Sequence, residues 1–284
     1  MSRRIWALLT LFLVVLILGI CALVLQPKKH NIMAKVSMLN VGQGDAIFIQ
    51  TANGRQLLID GGRDATVLSE LTKIMPAGDR SIDVVIATHP DADHVGGLPQ
   101  VLSRYDVGLF LTSDVYADTQ TIKDVYTRIN DRNTTAYYAR RGMILTLDPI
   151  TSFKILFPDR DTHDWETNTA SIVGRLSIGD RSALFTGDSP ISIEQYLVKT
   201  DPKDINVDIV KLGHHGSKTS SSAEFLRATS PALALISAGL NNRYGHPHPE
   251  VMALLKKLGI SSLSTQDKGT VTLTTNGKTW NIPQ

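Results

Sequence analysis

The sequence predicts an α/β domain that follows one membrane-spanning helix at the N-terminus. Residues 5–25 carry no charged side chain. From residue 35 onward, short apolar runs typical of buried strands alternate with helical segments. Five of these strands are followed by Asp or His residues. Because ligands bind at the carboxyl ends of strands in open α/β sheets, this recurrence indicates a domain built around a site.

The N-terminal segment 5–25 is long enough to cross a membrane. Its 21 uncharged residues, at about 1.5 Å per residue, match a hydrocarbon core of about 30 Å. A cleaved signal peptide is the alternative, but its apolar region is usually shorter and no Ala-x-Ala-like site follows here. We expect residues 1–30 to form an uncleaved anchor and linker, and residues 31–284 one globular domain. The short leader 1–4 is easily kept inside, which favours an extracytoplasmic domain.

Composition limits the classes of site and partner. Residues 1–30 contain four basic and no acidic residues, so the domain holds the other 25 basic and all 27 acidic residues. The resulting net charge of −2 for the domain argues against a broad nucleic-acid-binding surface, although it is compatible with a local basic groove. The single cysteine, Cys21, excludes an intrachain disulfide and a cysteine-ligated metal site. No protein partner is indicated.

The domain begins with a three-stranded meander. Apolar runs predict strands at 35–41, 46–50 and 57–59, and Asn53-Gly54 is typical of a hairpin turn. The third strand is followed by Asp60. A buried carboxylate is costly unless it is paired, so Asp60 either caps the following turn or orients a metal ligand.

The segment after the predicted strand 82–87 contains four potential metal ligands. They are His89, Asp91, Asp93 and His94. Imidazole nitrogens and carboxylate oxygens suit zinc, manganese or iron. The spacing lets the first two reach one ion while the last two point elsewhere, so one loop could serve two ions. An incidental polar turn is the alternative, but four ligand types in a chain with 8 histidines disfavour it.

The rest of the chain continues the alternation of helices and strands. Helices are predicted at 64–74, 98–105, 119–130, 191–198, 223–228 and 249–258. Strands are predicted at 107–111, 153–158, 171–178, 182–185, 207–212, 232–236, 261–264, 269–275 and 278–282. Three strand exits repeat the polar pattern, with Asp188, the adjacent pair His214 and His215, and the loop pair His246 and His248.

Together these motifs resemble the metallo-β-lactamase superfamily, whose His-x-His-x-Asp-His pattern appears as His89-x-Asp91-x-Asp93-His94. The chain is more closely similar to the hydrolase domain of ComEC-type competence proteins, the DNA-uptake channels, over residues 35–282. The motifs that carry this similarity, in order, are Asn40-Val-Gly-Gln-Gly-Asp45, Leu58-Ile-Asp-Gly-Gly62, His89-Pro-Asp-Ala-Asp-His94, Leu184-Phe-Thr-Gly-Asp188, Gly213-His-His-Gly-Ser217 and Asn242-Arg-Tyr-Gly-His-Pro-His248. The 284 residues hold no counterpart of the channel, and we expect the chain not to translocate DNA alone.

The resemblance implies a four-layer αβ/βα sandwich, with two mixed sheets packed face to face, helices outside, and two divalent ions, Zn²⁺ or Mn²⁺, at one edge. Metal ligands implied by it are His89 and Asp91 for one ion, Asp93, His94 and His214 for the other, and Asp188 as a bridge. Residues expected to act on substrate are Asp93, through its ion, and His215, His246 and His248. Supporting or substrate-binding residues are Asp45, Asp60, Asn168, Lys218 and Arg243. For Lys218 and Arg243, ordinary surface charge is equally compatible.

Two departures bear on the ions. Asn40 stands where the family usually has Asp, and Asp91 replaces the superfamily's second histidine, as in the ComEC-like group. The superfamily's third histidine is not evident. Asn168 lies nearest its expected place and His163 is a weaker candidate, so a single-ion site is an alternative.

The resemblance implies a metal-dependent hydrolase, and three functions stay open. We favour a phosphodiesterase or nuclease that acts on DNA or another phosphodiester outside the membrane. A hydrolase of a lactone, amide or phosphate ester would instead need a closed apolar pocket, which Trp165, Tyr137 and Tyr138 could line. A non-catalytic accessory module for DNA uptake is the third possibility, and the intact ligand set argues against it. Fold alone does not separate the first two.

Overall fold

Two mixed β-sheets form the centre of the computed structural model, which describes residues 33–283. In chain order the strands are β1 Ala34–Met38, β2 Ile47–Gln50, β3 Gln56–Ile59, β4 Ser81–Ala87, β5 Asp106–Thr112, β6 Thr135–Tyr138, β7 Ile144–Asp148, β8 Thr151–Phe157, β9 Val173–Ile178, β10 Arg181–Phe185, β11 Ile209–Lys211, β12 Leu233–Ile236, β13 Ser261–Ser264, β14 Val271–Thr275 and β15 Trp280–Asn281. The first sheet has the order β15-β14-β1-β2-β3-β4-β5-β6, and the second β13-β12-β11-β10-β9-β8-β7.

Helices cover the outer faces of both sheets. They are α1 Thr66–Ile74, α2 Ala92–Val95, α3 Leu98–Arg104, α4 Gln120–Arg132, α5 Ile191–Thr200, α6 Ala223–Thr229, α7 Pro249–Leu258 and α8 Thr265–Lys268. A 3₁₀ turn spans Gly213–Gly216. The helix that begins at Leu98 packs closely because Gly96 and Gly97 precede it. A Cβ on either glycine would overlap a backbone carbonyl oxygen, of Arg63 or of Gly61 respectively.

Three buried apolar clusters separate four layers. The cluster between the sheets includes Val36, Ile49, Ile59, Phe153, Phe185 and Leu235. The cluster beneath α1, α3 and α4 includes Phe48, Leu71, Val85, Leu102 and Val125. The cluster beneath α5, α6 and α7 includes Leu184, Leu197, Val210, Phe225 and Leu255. Neighbours on one strand alternate between clusters, since successive side chains point to opposite faces. The four-layer sandwich implied by the resemblance is confirmed.

Parallel pairing places the carboxyl ends of several strands at one edge of the sandwich. In the first sheet β3, β4, β5 and β6 are parallel neighbours, and in the second β10, β11, β12 and β13 are. Their carboxyl ends therefore open on loops that lie side by side. These loops carry most of the polar residues that the sequence singles out.

Most predicted elements are present, with small differences at their ends. The meander of β1, β2 and β3 is confirmed by antiparallel pairing. The turn at Asn53-Gly54 is longer than the two-residue type, because the Thr51 amide N–H donates to the Arg55 carbonyl oxygen, 2.8 Å away. Strands β6 and β7 were not predicted. All four residues of β6 are exposed, so β6 has no apolar face to reveal it.

The predicted membrane anchor, residues 5–25, lies outside the described residues, and its boundary near residue 30 stays a prediction. Within residues 33–283, each helix is too short or too polar to cross a membrane.

Candidate metal centre

Loops from both sheets meet at one edge of the sandwich. Asp45 comes from the β1–β2 loop and Asp60 follows β3. The metal loop, defined here as His89–His94, follows β4. The second sheet contributes Asp188 after β10 and the pair His214 and His215 after β11. Residues separated by more than a hundred positions thus become neighbours.

Four buried side chains form the centre of this edge: Asp45, His94, Asp188 and His215. Each is at most 3% exposed, and each offers one nitrogen or oxygen within 4.8 Å of the other three. Asp93 lies against the group, with its Oδ2 3.3 Å from His215 Nε2 and its side chain 26% exposed. Histidine and carboxylate in this combination are a donor set for divalent cations.

The distances within the group fit a shared ion better than they fit hydrogen bonding. Asp188 Oδ2 lies 3.3 Å from His94 Nε2 and 3.3 Å from His215 Nε2. Among the described residues, neither Nε2 atom has a hydrogen-bond partner, and neither has Asp188 Oδ1. Ligands placed tetrahedrally about 2.1 Å from a zinc ion lie about 3.4 Å from one another. Buried donor atoms left unpaired at this spacing support a divalent cation site.

On its Nδ1 side, each imidazole faces a further carboxylate, and for His94 the two are hydrogen-bonded. His94 Nδ1 is hydrogen-bonded to Asp60 Oδ2 at 2.8 Å, and His215 Nδ1 lies 3.3 Å from Asp45 Oδ1. Asp60 also accepts the backbone N–H and the hydroxyl of Thr88, both at 2.7 Å. A carboxylate behind a ligating imidazole sets its tautomer and raises its basicity. Asp60 thus contacts His94 as expected for a residue that orients a ligand.

We expect Asp60→Asn to weaken metal binding about 10- to 100-fold. The Asp60 carboxylate faces donors from both Thr88 and His94. The amide of Asn would place an N–H group opposite one of these donors, which would lose its acceptor. Calorimetric titration of the metal-free chain with Zn²⁺ measures the effect. Asp106→Asn, at an exposed carboxylate far from the site (82% exposed), is the control. Equal affinities for both variants would contradict this role for Asp60.

A buried lysine completes the group, and the sequence reasoning missed it. The Lys211 side chain is fully buried, and its Nζ donates to the Gly187 carbonyl oxygen at 2.9 Å. Nζ pairs with Asp45 Oδ2 and lies 3.6 Å from Asp188 Oδ1. Burial lowers the pKa of Lys211, but the two carboxylates outweigh burial and raise it, so the ammonium is charged. The available signal was a lysine inside the apolar run Ile209–Leu212, three residues before His214.

Opposite charges dominate the electrostatics of the group. Burial raises the pKa of Asp45, but Lys211 and His215 outweigh it and lower this pKa to about 2. Burial likewise disfavours charge on His94, yet Asp188 and Asp60 hold its pKa well above the ordinary value. The pKa of Asp188 lies well below its usual range because His215 and His94 overcome burial. Metal ligation needs neutral imidazoles, so protons and a divalent cation compete for the same atoms.

The first half of the metal loop offers a second set of donors. His89 Nε2 is buried, lacks a hydrogen-bond partner among residues 33–283, and lies 3.8 Å from Asp91 Oδ2. Its Nδ1 contacts the Thr88 hydroxyl at 3.0 Å and the Ser171 hydroxyl at 3.3 Å. Burial, together with the charge of His94, places the pKa of His89 well below its usual value. His89 is therefore neutral and able to ligate.

The residues considered for the missing third histidine lie in different surroundings. Asn168 has a buried Oδ1 with no partner within the described part of the chain. Burial raises the pKa of Asp91 and the neighbouring Thr167 side chain opposes that rise, which places this loop beside the metal loop. His163 instead lies exposed, with its ring 5.4 Å from that of Tyr116. Asn168 is thus the better placed of the two.

The two adjacent histidines occupy the reverse of the positions that we expected. We expected His214 as a ligand and His215 at the substrate, but His215 lies inside the group. His214 lies at its rim, 30% exposed, with Nε2 3.8 Å from Asp188 Oδ2. Both have positive φ, 48° and 56°, in the 3₁₀ turn, and the angle between their ring planes is 78°. The tight turn therefore sends consecutive side chains in different directions.

A rim of rings surrounds the exposed side of the group. His246 lies 5.3 Å from His214 and 4.8 Å from His248 between ring centroids, and Tyr244 stacks on His246. Burial and the charges of His214 and His215 lower the pKa of His246 to about 4. Two cations expected to support or bind the substrate, Lys218 and Arg243, are exposed beside this rim. The Lys218 amide N–H donates to His248 Nδ1 at 2.9 Å, and Arg243 Nη2 donates to Tyr244 Oη at 2.8 Å.

Comparison with known proteins agrees with this fold. The sequence profile of the Metallo-beta-lactamase superfamily matches residues 39–239. The chain is 30% identical over 254 residues to ComE operon protein 3 of Bacillus subtilis and 32% identical over 240 residues to competence protein ComA of Neisseria gonorrhoeae. These alignments cover 84% and 83% of the chain but 32% and 31% of the relatives. The chain thus spans about a third of their length.

Solved structures share the fold at low identity. The metallo-beta-lactamase fold protein YhfI of Bacillus subtilis superposes with a TM-score of 0.56 at 15% identity, covering 81% of this chain and 95% of YhfI. Zn²⁺-bound PqqB from Methylobacterium extorquens gives 0.53 at 12% identity, covering 81% and 87%. The chain belongs to the metallo-beta-lactamase superfamily, and its relatives by sequence include ComEC-type competence proteins.

Proposed function

We propose that the chain is a metal-dependent phosphodiesterase that cleaves DNA outside the membrane. One observation carries the hydrolase part of the proposal. Asp188 Oδ2 lies 3.3 Å from the Nε2 atoms of both His94 and His215, and Asp93 Oδ2 lies 3.3 Å from His215 Nε2. Neither Nε2 atom has a hydrogen bond among the described residues. The competence proteins among its relatives support DNA as the substrate and a membrane-associated role.

The residues divide between holding ions and handling the substrate. Asp93, His94, Asp188 and His215 would hold one ion, and His89 and Asp91 would hold a second. When bound, divalent cations supply Lewis-acid activation of a phosphoryl group and of water. Asp60, Asp45 and Lys211 keep the ligands in place from behind. Because these groups are buried, they lose little by reorganisation when the reaction occurs.

The rim residues would act on the phosphodiester itself. A pKa of about 4 keeps His246 neutral near pH 7, so this ring suits hydrogen bonding or ligation better than proton donation. His248 accepts the Lys218 N–H at Nδ1, which leaves its proton on Nε2 and directs a donor away from Lys218. Lys218 and Arg243 place two cations near an anionic substrate. These placements favour phosphodiester hydrolysis over an uncharged substrate.

The aromatic residues expected to line a closed pocket for a small molecule lie apart. Trp165 is half-buried beside Phe157 in the cluster under α5, with ring centroids 6.1 Å apart. Tyr137 and Tyr138 lie exposed on β6, at the edge of the other sheet. The three aromatic residues therefore do not line one closed pocket.

Cleavage assays test this function. The full chain with Mn²⁺ or Zn²⁺ is expected to cleave single-stranded DNA and bis-p-nitrophenyl phosphate, and Asp93→Ala to lower both rates at least about 10³-fold, since a lost ligand removes several kcal/mol of charge stabilisation. Asp131→Ala, at an exposed carboxylate (59% exposed), is the control. Cleavage of the small ester alone would move the substrate to small molecules. Bound metal without any cleavage would refute the phosphodiesterase and favour the binding module.

A further inference from the structure

A cleft walled by tyrosines lies next to the metal loop. Its volume is about 470 Å³, within the roughly 300–1,000 Å³ of small-molecule sites. Its walls are the segment 113–117 after β5, helix α4, the end of β6 and His163. Pro90, between His89 and Asp91, also lines it. The cleft and the candidate metal centre therefore share the metal loop.

Accessible aromatic rings form the sides of the cleft. Tyr116, Tyr126 and Tyr138 are 63%, 39% and 53% exposed. Burial raises the pKa of Tyr126 to about 12, and the nearby Tyr138 hydroxyl adds to this shift. The Tyr116 ring lies 5.4 Å from the His163 ring. Exposed aromatic rings gathered around one cleft offer flat surfaces for a planar ligand.

An unpaired hydroxyl adds a polar contact to these rings. Ser113, 3% exposed, lines the cleft, and its Oγ has no hydrogen-bond partner in the described part of the chain. Buried polar atoms are normally satisfied, so Oγ has capacity for a further hydrogen bond. Asn130 adds an amide to the lining, and Lys123 adds a cation, which pairs with Asp118 at 2.6 Å. The combination suits a ligand with a flat face and polar edges.

The topology sets how far the cleft lies from the metal loop. Strands β4, β5 and β6 are parallel neighbours, and the metal loop follows β4. Ser113 follows β5, and Tyr138 ends β6. Adjacent strands are about 4.8 Å apart, so the cleft extends from one to two strand spacings, or about 5–10 Å, beyond the metal loop. A group bound there would be a near neighbour of one held at the metal centre.

We propose that this cleft binds an unpaired base of a single-stranded nucleic acid, stacked on Tyr116 and Tyr138, next to the phosphodiester at the metal centre. The inference rests on the proposed function. Each base has a π face, so stacking tolerates any sequence, while Ser113 and Asn130 contact the polar edges. A base inside a duplex is not free to enter such a cleft. Single strands therefore bind more tightly than duplexes of the same sequence.

Fluorescence anisotropy of a labelled oligothymidine with the full chain in EDTA tests this site. Tyr116→Ala is expected to raise Kd about 5- to 150-fold, whereas Tyr116→Phe, which keeps the ring, stays within about 2-fold of wild type. Tyr138→Ala is a second variant with the same expected direction. Ile144→Ala, at a similarly exposed apolar residue of β7 (58% exposed), leaves Kd unchanged.

Two results overturn the inference: unchanged Kd values for both alanine variants, or equal affinity for duplex and single strand. Because EDTA removes the ions, the two proposals fail separately. Binding that depends on Tyr116 in a chain without cleavage activity would refute the phosphodiesterase and keep the cleft. If both alanine variants cleave DNA at the wild-type rate and their Kd values are unchanged, the cleft is refuted and the phosphodiesterase is kept.

Discussion

Asp188→Asn is expected to lower metal-dependent phosphodiester hydrolysis by at least about 10³-fold. Asp188 Oδ2 lies 3.3 Å from both His94 Nε2 and His215 Nε2 and 3.8 Å from His214 Nε2. This carboxylate therefore faces more candidate ligands than its neighbours do. An amide keeps its shape but removes the charge that attracts a cation. Hydrolysis of bis-p-nitrophenyl phosphate over a range of Mn²⁺ concentrations measures the loss.

Asp180→Asn is a matched control for Asp188. Asp180 is an exposed residue of the β9–β10 turn, so the same chemical change there is expected to leave the rate unaltered. Nearly wild-type hydrolysis by Asp188→Asn, at all metal concentrations, would show that the buried group is not the reaction centre.

Lys211→Met is expected to destabilise the metal-free chain by about 3–5 kcal/mol. The ammonium group faces Asp45 and Asp188 in a fully buried setting. Its removal leaves these carboxylates with less compensating charge, although His94 and His215 remain. Excess divalent metal is expected to recover part of the loss, because a bound cation supplies charge to the same carboxylates. Urea unfolding in EDTA and in saturating Zn²⁺ measures both quantities.

Lys154→Met is the control for a lysine outside the site. Lys154 pairs with Asp204 at 2.8 Å, and both side chains are more than a third exposed. Exposed pairs of this kind contribute about 0–1 kcal/mol, so this variant is expected to stay close to wild type with or without metal. An equally small cost for Lys211→Met would mean that the buried ammonium does not hold the ligands in place.

Local patterns explain why many residues of the candidate site could be proposed from sequence. The metal loop was recognisable because four ligand types follow one apolar strand, and the strand, loop and glycines are contiguous. Asp188 was recognisable from the same pattern at another strand exit. The local patterns do not show that the metal loop and Asp188 lie close together. Their proximity depends on the pairing of strands that are far apart in the chain. The resemblance to a known superfamily supplied that step.

Other features depend on conformation that residue types do not determine. His214 and His215 are identical in type, and only the positive φ angles of their turn decide which ring enters the buried group. Lys211 was hidden because strand patterns treat a lysine as a surface residue, whereas its partners come from loops on two sheets. Strand β6 was missed because its four residues are exposed and show no periodicity.

The most direct test of the account is the metal content of the purified full chain. Plasma mass spectrometry after loading with Zn²⁺ or Mn²⁺ and removal of free metal is expected to find about one to two equivalents per chain, with a large reduction in Asp188→Asn. Fewer than about 0.1 equivalents in the wild-type chain, or equal content in the variant, would contradict the claim that the buried histidines and carboxylates form a metal centre.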